Sequence, residues 1–239
     1  MTYILFKREF FGYFRTPVAY VFLAIFVIGS IVLPWFAGSF FDSNIASLDI
    51  FFRFLPWVYL FLIPAAGMRL WSEEKRSGTW ELLFTLPIRV SDAVVGKFLA
   101  GWAFIGVGLC FTATMPLTLA YLGNPDWERI IAGYIGAFLM AGTYLSICSL
   151  VSALTQNQVI AFVLSVLSCL ILLLLGWSLF SAYLERAVPT QVVDALSNFS
   201  FITHYETMFE GLIQIKDLIY FISTIAFFTS LNIIVLDRN

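Results

Sequence analysis

The sequence predicts an all-α integral membrane protein, and three observations lead to this fold class. Hydrophobic residues make up 61% of the 239 residues and charged residues only 12%, whereas a soluble domain is about 25% charged. Long uncharged apolar runs recur along the chain and alternate with short charged stretches. The pattern of short alternating strands that is typical of a β-barrel is missing, so helices remain as the structure that satisfies backbone groups in lipid.

Six apolar segments are long enough to cross a membrane, since a helical span needs about 20 residues. They cover residues 18–40, 54–70, 98–122, 130–154, 159–184 and 218–236. The first is longer than the hydrophobic region of a signal peptide and no A-x-A cleavage site follows it, so we expect a retained span. The second is short and contains Pro56 and Pro64, which predicts a helix that is kinked or that extends into the charged residues after it.

The Lys and Arg residues divide unequally between the two sides of this six-span arrangement. Nine of the thirteen fall in residues 2–16, in residues 69–97 or at the C-terminus. Because positive residues favour cytoplasmic loops, the N- and C-termini and the 69–97 segment are predicted to be cytoplasmic. The protein is therefore expected in the cell inner (cytoplasmic) membrane, as a multi-pass protein.

Residues 2–16 are too charged to cross the membrane and predict an N-terminal interfacial amphipathic helix. Tyr3, Phe6 and Phe10 share one side of a helical wheel, and Arg8 lies on the other. Such a helix lies in the plane of the membrane surface with its apolar side toward lipid. The alternative is a positively charged topology signal with no further role.

The charged segment 69–97 holds five of the thirteen Lys and Arg residues between two apolar runs, so it must lie in water. A break is predicted at Gly78, and residues 79–86 then form two helical turns with Phe84 on their apolar side. Pro87 ends this short helix. The pattern predicts a docking element that transmits movement from a soluble partner into the membrane. The alternative is an ordinary solvated loop.

Residues 185–217, between the fifth and sixth spans, are too many for a simple turn and too mixed in polarity to cross the membrane. Apolar residues recur there at helical spacing, which predicts one or two short external helices that are half-sunk in the outer leaflet.

Several kinds of chemistry have no counterpart in the sequence. It contains no G-x-x-x-x-G-K-[ST] phosphate loop, no G-x-S-x-G and no H-E-x-x-H. The middle parts of the predicted spans carry no Asp, Glu, Lys, Arg or His, which disfavours a carrier driven by an ion gradient. The chain is therefore predicted not to be an enzyme, and any energy for transport is expected from another subunit.

The sequence also predicts no metal or cofactor site on this chain. The sole histidine, His204, is accompanied only by Glu206 and Glu210, and a helix-packing role is the more common use of such a residue. The cysteines are Cys110, Cys148 and Cys169, and all lie in apolar runs without the spacing of a disulfide or metal framework.

Two groups of small or polar residues within the spans each permit two interpretations. The small residues recur four apart: Gly133, Ala137, Ala141, Ala161, Ser165 and Cys169. They favour close packing within one bundle over a seam between two chains. The hydroxyl residues are Thr112, Thr114, Thr118, Ser146, Ser149 and Ser152. They either bond to neighbouring carbonyls or line a mildly polar path.

The stretch EEKRSGTWELLFTLPIRVSDAVVGKFLA resembles the cytoplasmic segment of ABC-2-type permeases, most closely the gliding-motility and nitrous-oxide-reductase-maturation branch. The positions that carry the resemblance are Glu73, Glu74, Lys75, Arg76, Gly78, Thr79, Glu81, Leu82, Leu83, Leu86, Pro87, Gly96 and Lys97. FSFITHYETMFEGLIQIKDLIYF resembles the family's external segment through His204, Gly211, Asp217 and Tyr220. The opening FKREFFGYFRTPVAY resembles its interfacial helix.

The resemblance implies a single ABC-2-type transmembrane domain over residues 1–239, which dimerises with a second permease and binds two cytoplasmic ATPase subunits. ATP and magnesium would bind to those subunits and not to this chain. The ATPase-coupling residues would be Glu73, Glu74, Arg76, Gly78, Thr79, Trp80, Glu81, Leu82, Leu83, Phe84, Leu86 and Pro87. The external gate would be formed by His204, Tyr205, Glu206 and Gly211.

The sequence thus favours the permease subunit of an ATP-driven exporter, with lipid around it and no nucleic acid partner. A second hypothesis is a non-transporting membrane anchor or mechanical transducer, such as part of a gliding-motility apparatus, because it needs the same coupling helix. A third is a self-contained channel. The sequence leaves open the substrate and whether the permease pairs with itself or with a related chain.

Overall fold

A computed structural model describes residues 1–37, 47–78, 89–185 and 189–238. This part of the chain contains helices and no strand. The helices are α1 Thr2–Phe14, α2 Pro17–Ala37, α3 Asp49–Gly67, α4 Arg69–Ser77, α5 Val90–Phe111, α6 Thr114–Leu122, α7 Trp127–Leu154, α8 Gln158–Leu175, α9 Ser178–Leu184, α10 Thr190–Asn198, α11 Phe201–Phe209 and α12 Ile215–Asp237.

The prediction of six spans is confirmed, because six helical segments of the described chain are long and apolar enough to cross a membrane. They are α2, α3 with α4, α5 with α6, α7, α8 and α12. The second span is divided at Met68 into α3 and α4 and extends as far as Ser77, as the second of the two predicted alternatives has it. The predicted fifth span, 159–184, is wrong at its end, because α8 ends at Leu175.

The fifth span ends early because α8 and α11 meet there. A side chain at Gly176 would place its Cβ 2.5 Å from Ser200 Oγ, so only glycine fits. Ser200 Oγ donates to the carbonyl of Leu172, 2.6 Å away, which satisfies one of the carbonyls left free at the end of α8.

Helix α7 lies at the centre of the bundle and packs against α3, α4, α5, α8, α11 and α12. Small residues make this possible, since a Cβ at Gly133 would lie 2.5 Å from the ring of Phe52, and one at Gly136 would lie 3.0 Å from Met208 Cβ. The small residues that the sequence singled out on α7 and α8 are buried within this one bundle: Gly133, Ala137, Ala141, Ala161, Ser165 and Cys169.

Two of the prolines inside spans free a carbonyl from its partner four residues later in the helix, and in each case a tyrosine hydroxyl donates to that carbonyl. Proline has no N–H, so the carbonyl four residues earlier is freed. Pro116 frees the Thr112 carbonyl between α5 and α6, which accepts from the Met115 N–H at 2.9 Å and from Tyr134 OH at 3.0 Å. Pro56 frees the carbonyl of Phe52 in α3, and this accepts from Tyr205 OH at 3.2 Å. The backbone at these two prolines is therefore satisfied from within the protein.

The segment before the last span contains three short helices in its described part, α9, α10 and α11. Most side chains of α9 and α10 are exposed, but α11 is different. It buries one face against α7, α3 and α12; the buried residues are Phe201, Ile202, Tyr205, Met208 and Phe209. The prediction of half-sunk helices is therefore wrong for α11, because its apolar face is enclosed by the bundle.

Candidate functional site

The predicted coupling segment is only partly described. Glu73, Glu74 and Arg76 lie on α4, and Gly78 follows as its C-cap. The predicted docking helix lies outside the described residues, and with it Thr79, Trp80, Glu81, Leu82, Leu83, Phe84, Leu86 and Pro87. The structure does describe the two helices on either side of it, α4 and α5, and so shows what any movement of this segment would act on.

Gly78 ends α4 with a left-handed backbone, φ 71°, and a Cβ added there would meet nothing within 4 Å. Glycine is therefore required by the turn and not by packing. The predicted break at Gly78 coincides with this cap.

The start of α4 is fixed to α7 by one serine. The first N–H groups of a helix have no partner within it. Ser152 Oγ accepts from the backbone N–H of Trp71 and of Ser72, both at 3.1 Å, and donates to the carbonyl of Met68 at 2.8 Å. Farther along α4, Lys75 Nζ donates to the carbonyl of Ala153 at 2.6 Å. Helix α4 therefore cannot shift without disturbing α7.

A second serine joins α4 and α7 to the last span. Ser149 Oγ accepts from Trp71 Nε1 at 3.2 Å and from Asn232 Nδ2 at 2.7 Å. All three side chains are buried. Asn232 was not predicted as a functional residue, although it is the single amide in its span and such groups bond across helices in lipid.

Lys97 joins α5 to α4 and α1 in what we term the lysine cluster (Glu9, Glu74 and Lys97). Lys97 Nζ lies 2.7 Å from Glu74 Oε1 and 3.6 Å from Glu9 Oε2, and 5.3 Å from the centre of the Trp71 ring. Only 6% of the Lys97 side chain is exposed, so the ion pairs are weakly screened. Gly96 precedes it, and a Cβ there would lie 3.0 Å from Leu5 Cβ on α1.

A cavity of about 580 Å³ lies between α1, α2, α3, α4 and α5. One end is charged and contains Glu9, Arg69, Glu73, Glu74 and Lys97. The other end is apolar, and its wall includes Val18, Val21, Phe22, Ile25, Leu62 and Phe104. The cavity therefore combines a charged pocket beside α4 with an apolar pocket between the membrane-spanning helices.

At the far end of the bundle, Asp217 holds α11 against α12 in the aspartate cluster (His204, Thr207 and Asp217). Asp217 Oδ1 lies 2.7 Å from His204 Nδ1, and Oδ2 accepts from Thr207 Oγ1 at 2.9 Å. His204 Nε2 lies 3.1 Å from the Asn198 carbonyl, so both ring nitrogens face acceptors and both bonds form only when the ring is doubly protonated. Tyr220 stacks on the ring at 4.0 Å.

The four predicted gate residues all lie on α11 or directly after it, but they differ in environment. Tyr205 is buried and bonds to α3, whereas the side chain of Glu206 is exposed. Partial desolvation by the surrounding protein raises the pKa of Glu206, Arg53 partly opposes this, and Glu210 raises it further. Gly211 has φ 96°, and a Cβ there would lie 3.0 Å from Arg129 Cγ. His204 and Gly211 therefore hold the end of α11 in place.

The hydroxyl groups of the spans are mostly bonded within the bundle. Thr112 and Ser146 donate to Leu109 and Thr143 carbonyls at 2.7 and 2.8 Å, and Thr118 donates to that of Thr114 at 2.8 Å. This favours the packing interpretation over a polar path. Across residues 1–37, 47–78, 89–185 and 189–238, no three His, Cys, Asp or Glu side chains lie close enough to hold a metal ion.

Comparison with known families gives one match. A family model described as ABC-2 family transporter protein matches residues 36–236, which include the second to the sixth span but only the last two residues of α2. No curated protein matches the chain.

Proposed function

Because the chain belongs to the ABC-2 family of transporter proteins, we propose that it exports a substrate with energy from a separate ATPase that docks on residues 79–88. Its family and its six apolar helical segments make it a multi-pass membrane permease of an ABC transporter. Permeases of this family are the transmembrane component and have a partner ATP-binding subunit.

The observation that supports this coupling is the attachment of both helices that flank residues 79–88. Helix α4 is bonded to α7 through Ser152 and to α12 through Ser149, and α5 is bonded to α4 and α1 through Lys97. A force on the connecting residues therefore acts on five helices of the bundle at once: α1, α4, α5, α7 and α12. In this proposal the exposed Arg76 continues the docking surface onto α4, and Glu74 transmits movement through its ion pair with Lys97.

The wider arrangement follows the family. Two permeases and two ATPase subunits form the transporter, ATP and magnesium bind to the ATPases, and both termini of this chain face the cytoplasm from the inner membrane. Helix α11, with His204, Tyr205, Glu206 and Gly211, forms the outer end of the path. The charged motif from Glu73 to Lys97 supports a place in the gliding-motility and nitrous-oxide-reductase-maturation branch.

The test is affinity purification of the tagged chain from its native membrane in mild detergent, followed by mass spectrometry of what accompanies it. We expect a near-stoichiometric soluble protein with a phosphate loop, and its loss from the Phe84→Asp variant. Phe199→Asp is the matched control, because Phe199 is exposed on the other end of the bundle. Retention of the ATPase by Phe84→Asp would overturn the docking site, and its absence from the unaltered chain would overturn the function.

The orientation has its own test in cysteine labelling. Ser77 and Asn198 are both exposed and lie at the α4 and α11 ends of the bundle. We expect Asn198→Cys to react with an impermeant maleimide in intact cells and Ser77→Cys to react only after the membrane is opened. The reverse pattern would overturn the orientation.

A further inference from the structure

The cavity beside α4 is open toward the lipid side of the bundle. Val18, Val21 and Ile25 line it, and they are 51%, 57% and 53% exposed. These residues lie on one side of α2, one turn apart, so the wall that they form is shared between the cavity and the membrane. An acyl chain can therefore enter from the bilayer without crossing the protein.

The charged end of the cavity contains two kinds of group. Lys97 is already paired with Glu74 and Glu9. Arg69 and Glu73 are exposed, four residues apart on α4, and form no ion pair with another residue of the described chain. Residues four apart lie side by side on a helix. The cavity thus presents one guanidinium and one carboxylate next to each other.

The balance of charge selects among headgroups. Three carboxylates (Glu9, Glu73, Glu74) and two cations (Arg69, Lys97) line the cavity. Glu74 Oε2 is also buried without a hydrogen-bond partner in the described chain. An excess of carboxylate favours a ligand that carries an ammonium group and disfavours one that is only anionic.

We propose that this cavity binds one phospholipid with an ethanolamine headgroup, with the phosphate on Arg69, the primary ammonium on Glu73 and an acyl chain along α2 and α3. The guanidinium suits phosphate because it donates two parallel N–H bonds. A primary ammonium donates hydrogen bonds to carboxylate, whereas the quaternary ammonium of choline has no N–H to donate. Lipid binding at this site does not require the ATPase, so an experiment can disprove it without disproving the transport function.

The bound lipid would lie against α4 directly before the docking segment. Arg69 is the first residue of α4 and Glu73 lies one turn later, and the same helix carries Glu74 of the lysine cluster. A lipid on this face therefore adds contacts to the helix that joins residues 79–88 to the membrane part of the protein.

The experiment is native mass spectrometry of the full chain reconstituted with phosphatidylethanolamine, phosphatidylglycerol or phosphatidylcholine of the same acyl composition. We expect one phosphatidylethanolamine per chain to be retained at activation energies that remove the other two lipids. Arg69→Ala and Glu73→Gln should each weaken its apparent affinity about tenfold, the loss expected for one charge-assisted hydrogen bond. Both residues are exposed, so the fold should tolerate these changes.

Arg15→Ala and Glu128→Gln are the matched controls, because both are exposed charges that do not line the cavity. Their lipid retention should equal that of the unaltered chain. A second variant, Ala65→Phe, fills the apolar part of the cavity and should weaken retention of the lipid while the charges stay in place. Equal retention of the three lipids, preference for phosphatidylglycerol, or unchanged retention in Arg69→Ala and Glu73→Gln would each overturn the proposal.

Discussion

The lysine cluster and the aspartate cluster lie at opposite ends of the bundle, and each joins helices through contacts between a carboxylate and a side-chain nitrogen. They differ in how completely their polar atoms are bonded. In the aspartate cluster, Oδ1 and Oδ2 of Asp217 both have partners and Tyr220 covers the ring of His204. In the lysine cluster, Glu74 Oε2 has no hydrogen bond among the described residues, and a cavity lies beside it.

This difference separates a fixed end from an adaptable one. A cation shared between two long carboxylate side chains can change partners at small cost, whereas a buried carboxylate with every atom bonded cannot. The incompletely bonded cluster lies beside the helices that flank residues 79–88. The α4 end is therefore the end that is suited to respond to a partner, and the α11 end is suited to keep its shape.

The largest expected effect comes from removing the shared cation. Lys97→Met leaves Glu9 and Glu74 facing each other without a positive charge, so the free energy of unfolding should fall by about 3 kcal/mol. The measurement is the unfolding midpoint in detergent, with Lys7→Met as the control because Lys7 is exposed.

Adding Glu74→Gln to Lys97→Met should recover part of this loss, since one of the two unpaired carboxylates is then gone. If the two changes in unfolding free energy simply add, Lys97 and Glu74 are not energetically coupled despite the 2.7 Å between them. The comparison of the two clusters would then lose its basis.

A smaller loss is expected at the aspartate cluster. Asp217→Asn removes the charge that accepts from His204 and Thr207, and should lower the free energy of unfolding by about 2 kcal/mol. Asp237→Asn at the exposed end of the same helix is the matched control. A loss at Asp217 that equals or exceeds the loss at Lys97 would reverse the order that the comparison predicts.

The third test again concerns the α11 end, where Tyr205 donates to the Phe52 carbonyl of α3. Tyr205→Phe should cost about 1 kcal/mol, because it leaves the buried Phe52 carbonyl without a donor. In a Pro56→Ala background the cost should nearly vanish, since the N–H of an alanine at position 56 can bond to that carbonyl. The double-mutant cycle is measured by unfolding in detergent. An unchanged cost in the Pro56→Ala background would show that Tyr205 acts only through packing.

The smallest effect concerns pH at the α11 end. The folded-state pKa of Glu206 is raised above its ordinary value of 4.5, so folding favours the protonated form. Its contribution to stability is present below that value and is lost as the pH rises through the folded pKa. Glu206→Gln should therefore be slightly more stable than the unaltered chain at pH values above the folded-state pKa of Glu206. Below pH 4.5 the two proteins should be equally stable. The measurement is the difference in thermal unfolding midpoint between Glu206→Gln and the unaltered chain, followed as the pH rises from 4.5 through the folded-state pKa. A difference that does not change with pH would contradict the assignment.

Hydropathy was sufficient to find the spans, because crossing a membrane requires long apolar segments whatever their packing. It could not find the end of α8, which depends on Ser200 meeting Gly176, or the burial of α11, whose amphipathic pattern also fits a helix at the membrane surface. These features depend on contacts between distant parts of the chain.

Prediction of the candidate site from the sequence was limited in the same way, by contacts between distant residues. Gly78 could be predicted from a Ser-Gly break, and Gly96 and Lys97 from the family motif. The partners of Lys97 could not, because Glu9 and Glu74 lie on other helices and no local spacing connects the three. The roles assigned to residues 79–88 stay predictions, because these residues lie outside the described part of the chain.

The bond between Tyr205 and Phe52 has a consequence for biogenesis. The two residues are 153 positions apart, so ribosomal synthesis delivers the acceptor long before the donor. The Thr112 carbonyl at Pro116 differs, because it already accepts from the Met115 N–H and gains the Tyr134 hydroxyl only 22 positions later. During translation the second span therefore lies in the bilayer, or is shielded by the insertion machinery, with an unsatisfied carbonyl until α11 emerges. Nascent chains truncated before residue 205 should accordingly be better substrates for membrane quality-control proteases than chains that include α11.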